Sequence, residues 1–499
     1  MSTTKQAATV SQPIVANPDF FTNQDEVKDC LKRLHEKFTP EKPLIVSDVM
    51  DDAGRQYVNL VQKGGGVLGV ALVGYTYILE EMGIRFMRLA GTSAGAINTA
   101  LMVVVGKKEE AKSKQILDIM ASLKFFSLVD GHPAARWFIK MFITSKNFAT
   151  KLKRRIGIFI GFVLLMFVLD FIFAGLEHNH PNLVPLTHLT FILTGFALAF
   201  IVGFLIYLTR LSKRLKNSGF GINPGDYFYD WLKQTFTDQG VNNVADLNAK
   251  AQQPIPGLCL RTEHDEGTNG LKGDVKFITS ELVTENKVLF PEMYHLFRQP
   301  GEKEIHPAGF VRASMSIPLF FESYFINNIS VEKTEVQQAW KDTFNVKKPP
   351  VSTRFVDGGL LSNFPINLFY NPNIAVPRLP TFGINLDDSV PEDAKNDTAA
   401  WSFTGYFGRM LATLRGFYDK DFLVQNKAYE KGIGSIPLAE FNWLNFFLTD
   451  EDKKNMFIRG AKAATDFLLQ FDWEEYKREQ AKMRQEIRKD TPPPTIYGQ

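Results

Sequence analysis

Gly91-Thr92-Ser93-Ala94-Gly95 lies between a short apolar run, Phe86 to Ala90, and a run of helical character, Ala96 to Val105. A serine with glycine two places away on each side, at a strand-to-helix junction, has the layout of a nucleophile elbow. The demand is steric. A serine that attacks a carbonyl must stand at the tip of a sharp turn where nearby side chains would collide, and glycine at 91 and 95 removes the collision. The pattern is weak by itself, so its surroundings carry the reading.

Upstream, Lys63-Gly64-Gly65-Gly66-Val67-Leu68-Gly69 runs into an amphipathic helical pattern, Val70 to Met82, closed by Gly83. Such a loop presents backbone N–H groups with no side chains in front of them, backed by the positive end of a helix dipole, and so suits a negatively charged oxygen. A dinucleotide or phosphate loop is the alternative. Gly64 to Gly69 has G-x-G-x-x-G spacing, but Glu80 and Glu81 still belong to the first helix, and no G-K-[ST] ending follows. Downstream, Arg354-Phe355-Val356-Asp357-Gly358-Gly359-Leu360-Leu361-Ser362-Asn363-Phe364-Pro365 reads as a short strand that delivers an aspartate into a Gly-Gly turn. Alone it would be an ordinary tight turn.

Together the three elements resemble the patatin-like phospholipase family, which pairs a glycine-rich oxyanion loop, a G-x-S-x-G serine and an aspartate in a D-G-G motif. The likeness extends to Phe277-Ile278-Thr279-Ser280-Glu281 and to Val311-Arg312-Ala313-Ser314-Met315-Ser316-Ile317-Pro318-Leu319-Phe320-Phe321, so it covers residues near 55–105 and 255–390. It implies an α/β fold with a three-layer α/β/α core and a serine lipid acyl hydrolase that cleaves phospholipid or lysophospholipid esters through an acyl-enzyme. Carried onto this chain, Ser93 is the nucleophile and Asp357 its base. Gly64, Gly65 and Gly66 form the oxyanion hole, with the N–H groups of Gly65 and Gly66 as donors. Gly91 and Gly95 shape the elbow, and Gly358 and Gly359 the acid turn. The family loop usually has arginine where this chain has Leu68 and an acidic residue where it has Lys63. An acylglycerol lipase or general esterase is the alternative enzyme, and a catalytically inactive membrane scaffold the alternative of another class.

Histidine accounting separates two mechanisms, because an α/β-hydrolase places its catalytic histidine after the acid. No histidine follows His306. With Asp357 as acid a Ser-Asp-His order is impossible; it survives only with an earlier carboxylate and His264, His295 or His306 as base. A dyad asks more of its aspartate, since a free carboxyl near pKa 4 is a poor base for a hydroxyl. Desolvation would raise that basicity, and oxyanion donors would add on the order of 3 kcal/mol each.

The chain has 499 residues, 45% hydrophobic and 22% charged, enough for one large catalytic domain with additions. Its net charge of +3 implies no nucleic-acid partner. Cys30 and Cys259 fit free thiols in a reducing compartment, and no metal-ligand spacing or cofactor is implied. Met1 to Asn23 shows no apolar secretory core, and a short helix is expected over Asp25 to Lys37.

Ile156 to Leu176 and Leu189 to Leu208 are almost wholly apolar runs of 21 and 20 residues. Each is long enough to cross a bilayer core of about 30 Å as a helix. Lys151, Lys153, Arg154 and Arg155 precede the first; Arg210, Lys213, Arg214 and Lys216 follow the second; the linker Glu177 to His188 has neither lysine nor arginine. Both ends are therefore expected on the cytoplasmic side, giving a two-pass integral membrane protein with a cytoplasmic catalytic domain and termini, as in a bacterial inner membrane. Asp170 reads as tolerated rather than functional. Aromatic residues on the approaches, Phe125, Phe126, Trp137, Phe138, Phe142, Phe220, Tyr227, Phe228, Tyr229 and Trp231, with Met141 among them, suit either interfacial anchoring or a groove or core. The expected organisation is a tail and short helix over 1–45, a first core part over 46–150, a transmembrane hairpin over 151–216, a second core part over 217–400, and a helical cap over 401–499. The partners expected are the bilayer and its lipid substrate.

Overall fold

In the computed structural model the described residues are 17–490, apart from 124, 134, 135, 137–147, 177, 218, 263–266, 303, 372, 373, 375, 388–409, 411, 412, 414–416 and 418. One mixed sheet contains β1 (Val49–Met50), β2 (Gln56–Gln62), β3 (Ile84–Thr92), β4 (Cys259–Leu260), β5 (Asp274–Glu281), β6 (Asn286–Phe290), β7 (Tyr324–Ile326), β8 (Thr353–Asp357), β9 (Thr381–Asp387) and β10 (Ile433–Pro437). The order is β10-β9-β2-β3-β5-β8-β7, parallel from β10 to β5 and antiparallel beyond it. β6 pairs antiparallel with β5, and β1 joins β2 to β4.

β2 is buried at every position and β3 at all but Arg88. Central strands buried this completely need helices over both faces, which is why they read as nearly continuous apolar runs. The helix Gly69–Glu81 is buried from Val70 through Glu80. This corrects the amphipathic reading of that stretch: the helix Asp450–Gln470 covers the face expected to meet water. The two cross closely because a Cβ on Gly74 would stand 2.1 Å from the Phe457 carbonyl oxygen, and one on Gly460 2.0 Å from that of Ala71. The last helix, Trp473–Asp490, is anchored by Asp48, which accepts from Trp473 Nε1 at 2.9 Å and Lys477 Nζ at 3.1 Å. The sequence reading has only helices after residue 401, yet Ile433–Pro437 supplies the edge strand of the sheet. Five residues are too few for a strand period to stand out. The helix Asp25–Lys37 forms as expected.

Residues 130–224 and 319–322 make a second compact unit. Its helices, Phe148–Leu176 and Val184–Asn217, are long and apolar enough to cross a membrane. Both run past the apolar stretches into the basic flanks, since lysine and arginine are good helix formers. Val163, Met166 and Asp170 of the first helix and Thr187, Thr190, Thr194 and Ala197 of the second are buried, and the Phe159 and Phe200 rings meet at 5.6 Å. Of the aromatic approaches, Phe126 and Phe220 are exposed and Phe228 is core; Trp137, Phe138, Met141 and Phe142 lie outside the described residues.

Candidate active site

β3 ends at Thr92, and Ser93 turns the chain into the helix Ala94–Val104 with φ 53° and ψ −119°. A non-glycine residue in that region carries strain of roughly 1–3 kcal/mol, held here by its surroundings. A Cβ on Gly91 would lie 2.3 Å from the Gly95 carbonyl oxygen, and one on Gly95 2.2 Å from that of Gln62. The turn therefore needs both glycines for backbone approach. The Ser93 N–H donates to Ser314 Oγ at 3.0 Å, and that hydroxyl donates to the Ile278 carbonyl at 2.6 Å. Ser314, in the helix Ala308–Ser314, was within the quoted family segment but had no assigned role.

The glycine-rich loop follows β2. The Gly64 N–H is committed to the Asn363 carbonyl at 3.0 Å. A Cβ on Gly64 would fall 3.1 Å from Ser93 Cβ, which brings the loop against the serine. The N–H groups of Gly65 and Gly66 have no hydrogen-bond acceptor among the described residues. Gly66, at φ +57°, is roofed by Trp443, whose carbonyl takes the Val67 N–H at 3.0 Å. The two departures from the family loop face inward: Lys63 Nζ donates to the Leu386 carbonyl at 2.7 Å, and Leu68 is fully buried.

The acid turn ends β8. Asp357 is buried, with Oδ1 accepting the Gly359 N–H at 2.7 Å. Its own N–H reaches the Ser316 carbonyl at 2.8 Å, and Ser280 Oγ donates to its carbonyl at 3.1 Å. A Cβ on Gly358 would be 2.1 Å from the Ile278 carbonyl oxygen. In the sheet register Thr92 pairs with Ile278, and Thr279 pairs with Asp357. Ser93 and Asp357 thus stand at one level on either side of β5, two strand spacings or about 10 Å apart in backbone.

Three segments meet at Ser362-Asn363. Thr92 Oγ1 donates to the Ser362 carbonyl at 3.0 Å, Asn363 Nδ2 donates to the Gly64 carbonyl at 3.2 Å, and the Ser362 N–H returns to the Gly358 carbonyl at 2.9 Å. Asp419 accepts from Ser362 Oγ and from the N–H groups of Asn363 and Phe364, each at 2.7 Å. Nothing in the sequence pattern marks Asp419, because its partners lie more than fifty residues away.

The histidines of the triad alternative stand elsewhere. His295 is exposed with Nδ1 on the Glu292 carbonyl, and His306 packs on Phe236 with Nδ1 on the Ala308 N–H. Neither bonds Ser93 or Asp357, and burial lowers the His306 pKa. His264 lies outside the described residues.

The sequence profile of patatin-like phospholipases matches residues 60–370. The uncharacterized protein YqhO of Bacillus subtilis (strain 168) is 24% identical over 419 residues, covering 84% of this chain and 100% of YqhO. Among solved structures, VipD of Legionella pneumophila is similar at 14% identity and TM-score 0.32 over 87% of this chain and 72% of VipD. The type III effector ExoU of Pseudomonas aeruginosa is similar at 15% identity and TM-score 0.29 over 85% of this chain and 54% of ExoU. Neither structural likeness bears on function.

Proposed function

The chain belongs to the patatin-like phospholipase family of lipid acyl hydrolases, and on that premise we propose that it is a membrane-bound serine hydrolase of phospholipid or lysophospholipid acyl esters, working through a Ser93–Asp357 dyad. In the first step Asp357 takes the Ser93 Oγ proton as Oγ attacks the ester carbonyl. The resulting oxyanion is held by the N–H groups of Gly65 and Gly66, the two donors the loop leaves unspent. Collapse expels the alcohol, which leaves with the proton from Asp357, and an acyl chain remains on Ser93. Water then repeats the sequence, Asp357 acting as base, and releases the fatty acid.

The observation that carries this reading is the sheet register, Thr92 opposite Ile278 and Thr279 opposite Asp357, beside a loop whose Gly64 approaches Ser93. We propose further that the helices Phe148–Leu176 and Val184–Asn217 form a two-pass hairpin with both ends cytoplasmic, in an inner membrane, and that it keeps the enzyme where lipid is concentrated. The basic flanks would add about 1 kcal/mol per residue near anionic lipid.

The test uses detergent-solubilised full-length protein with a fluorophosphonate, in chelator, with phospholipid, lysophospholipid and triacylglycerol substrates. Ser93→Ala is expected to abolish labelling, and both Ser93→Ala and Asp357→Asn to lower turnover by at least roughly 1,000-fold. The ester consumed separates phospholipase from lipase. Wild type that neither labels nor hydrolyses any ester would make the chain a scaffold.

A further inference from the structure

The acid turn, the elbow and the glycine-rich loop belong to separate stretches of chain, and each reaches the same dipeptide. The elbow does so through Thr92 Oγ1 on the Ser362 carbonyl, the glycine-rich loop through two hydrogen bonds between Gly64 and Asn363, and the acid turn through the Ser362 N–H on Gly358. The conformation of Ser362-Asn363 therefore sets how the three segments lie relative to one another. It is fastened on its other side by one buried carboxylate, Asp419, which is 8% exposed and spends one oxygen on Ser362 Oγ and the other on two consecutive backbone N–H groups.

We infer that Asp419 is a positioning residue for the hydrolase, holding Ser362–Phe364 so that Asn363 keeps the oxyanion loop in register with Ser93 and Asp357. The inference rests on the function proposed above. Asp419 lies outside the family-matched residues 60–370, in a segment that returns to the sheet only through tertiary folding. One oxygen takes two backbone N–H groups and so must accept, while the other meets the Ser362 hydroxyl, which can donate or accept. An alanine there would strand both buried N–H groups, whereas an asparagine could keep them on its amide oxygen and donate its amide to Ser362 Oγ. Burial pushes the Asp419 carboxyl above its ordinary range, while the donors from Phe364, Ser362 and Asn363 pull it back, joined by Lys287 on β6. The carboxylate touches no reacting atom. Its effect passes through Asn363, and a displacement of the loop by about 1 Å is enough to cost roughly 100-fold in rate.

The experiment measures second-order fluorophosphonate labelling of the full-length protein, normalised to the folded fraction. Asp419→Ala and Asn363→Ala are each expected to slow labelling by roughly 100-fold. Because both sever one clasp, the double variant is expected to be no slower than the slower single, and Asp419→Glu to recover part of the loss. A purely structural role would lower the folded fraction and leave the normalised rate unchanged. Wild-type labelling by Asp419→Ala, or losses that multiply in the double variant, overturns the inference. Should Asp419→Ala not accumulate, Ser362→Ala keeps the carboxylate and removes one of its donors. It must slow labelling by roughly 2- to 10-fold, and an unchanged rate overturns the inference equally. An unlabelled wild-type chain overturns the proposed function and this inference together; a labelled wild type with unaffected variants overturns this inference alone.

Discussion

In β2, Val58, Leu60 and Val61 are fully buried, whereas in the helical hairpin Phe171 is 84% and Phe196 71% exposed while Thr187, Thr190 and Thr194 are buried. The sheet hides its apolar side chains and the hairpin displays them. The two helices are long and apolar enough to cross a membrane. In the sheet unit burial from water supplies the stabilisation; around the hairpin the surroundings are expected to be as apolar as leucine, so small and hydroxyl-bearing residues occupy the seam and large apolar ones face out. In the sheet unit the Lys108 ammonium donates to the Ala251 carbonyl; Asp170 Oδ1 and Thr194 Oγ1 in the hairpin are buried with no hydrogen-bond partner among the described residues, as is Glu109 Oε2 in the sheet unit.

The largest effect that would sharpen this contrast comes from Leu60→Ala. It is expected to cost roughly 2–5 kcal/mol in denaturant unfolding followed by a probe in the sheet unit. Phe171→Ala, on an exposed position, should change that unfolding by less than about 0.5 kcal/mol. Equal losses would mean that Phe171 is covered by protein.

A second test concerns Lys108, whose pKa is lowered to about 8 chiefly by burial, and then by Lys112. The folded lysine loses its proton near 8 and the unfolded one near 10.5. Between those values the unfolded lysine holds more proton than the folded one, so the contribution of Lys108 to stability rises with pH across the window, by on the order of 3 kcal/mol. Lys108→Met should remove much of that rise. A slope unchanged by the substitution would show that the ammonium is not buried in the folded protein.

The smallest expected effect is in the hairpin seam. Thr194→Val keeps the shape and deletes a hydroxyl without a partner, so helix association in detergent should be unchanged or slightly stronger, by under about 1 kcal/mol. Marked weakening would reveal a hydrogen bond across the seam.

The sites legible in sequence are those whose chemistry is local. Gly91, Ser93 and Gly95 sit within five residues, and the elbow geometry follows from their spacing. The apolar runs also announced themselves, because length and composition alone determine whether a helix can cross a bilayer. The helix Gly69–Glu81 was misread as amphipathic since its second cover, Asp450–Gln470, arrives from the far end of the chain.

What the sequence by itself determined was the serine turn, the glycine-rich loop, the aspartate turn, the family, and a pair of membrane-length helices, all set by short-range sterics or by bulk hydropathy. Only the tertiary structure decided that Thr92 and Asp357 flank the same two residues of β5, that Gly64 spends its N–H on Asn363 while Gly65 and Gly66 keep theirs, and that Asp419 closes the clasp. The reason is physical: hydrogen bonds between residues hundreds of positions apart depend on strand order and register, which residue spacing along the chain does not encode.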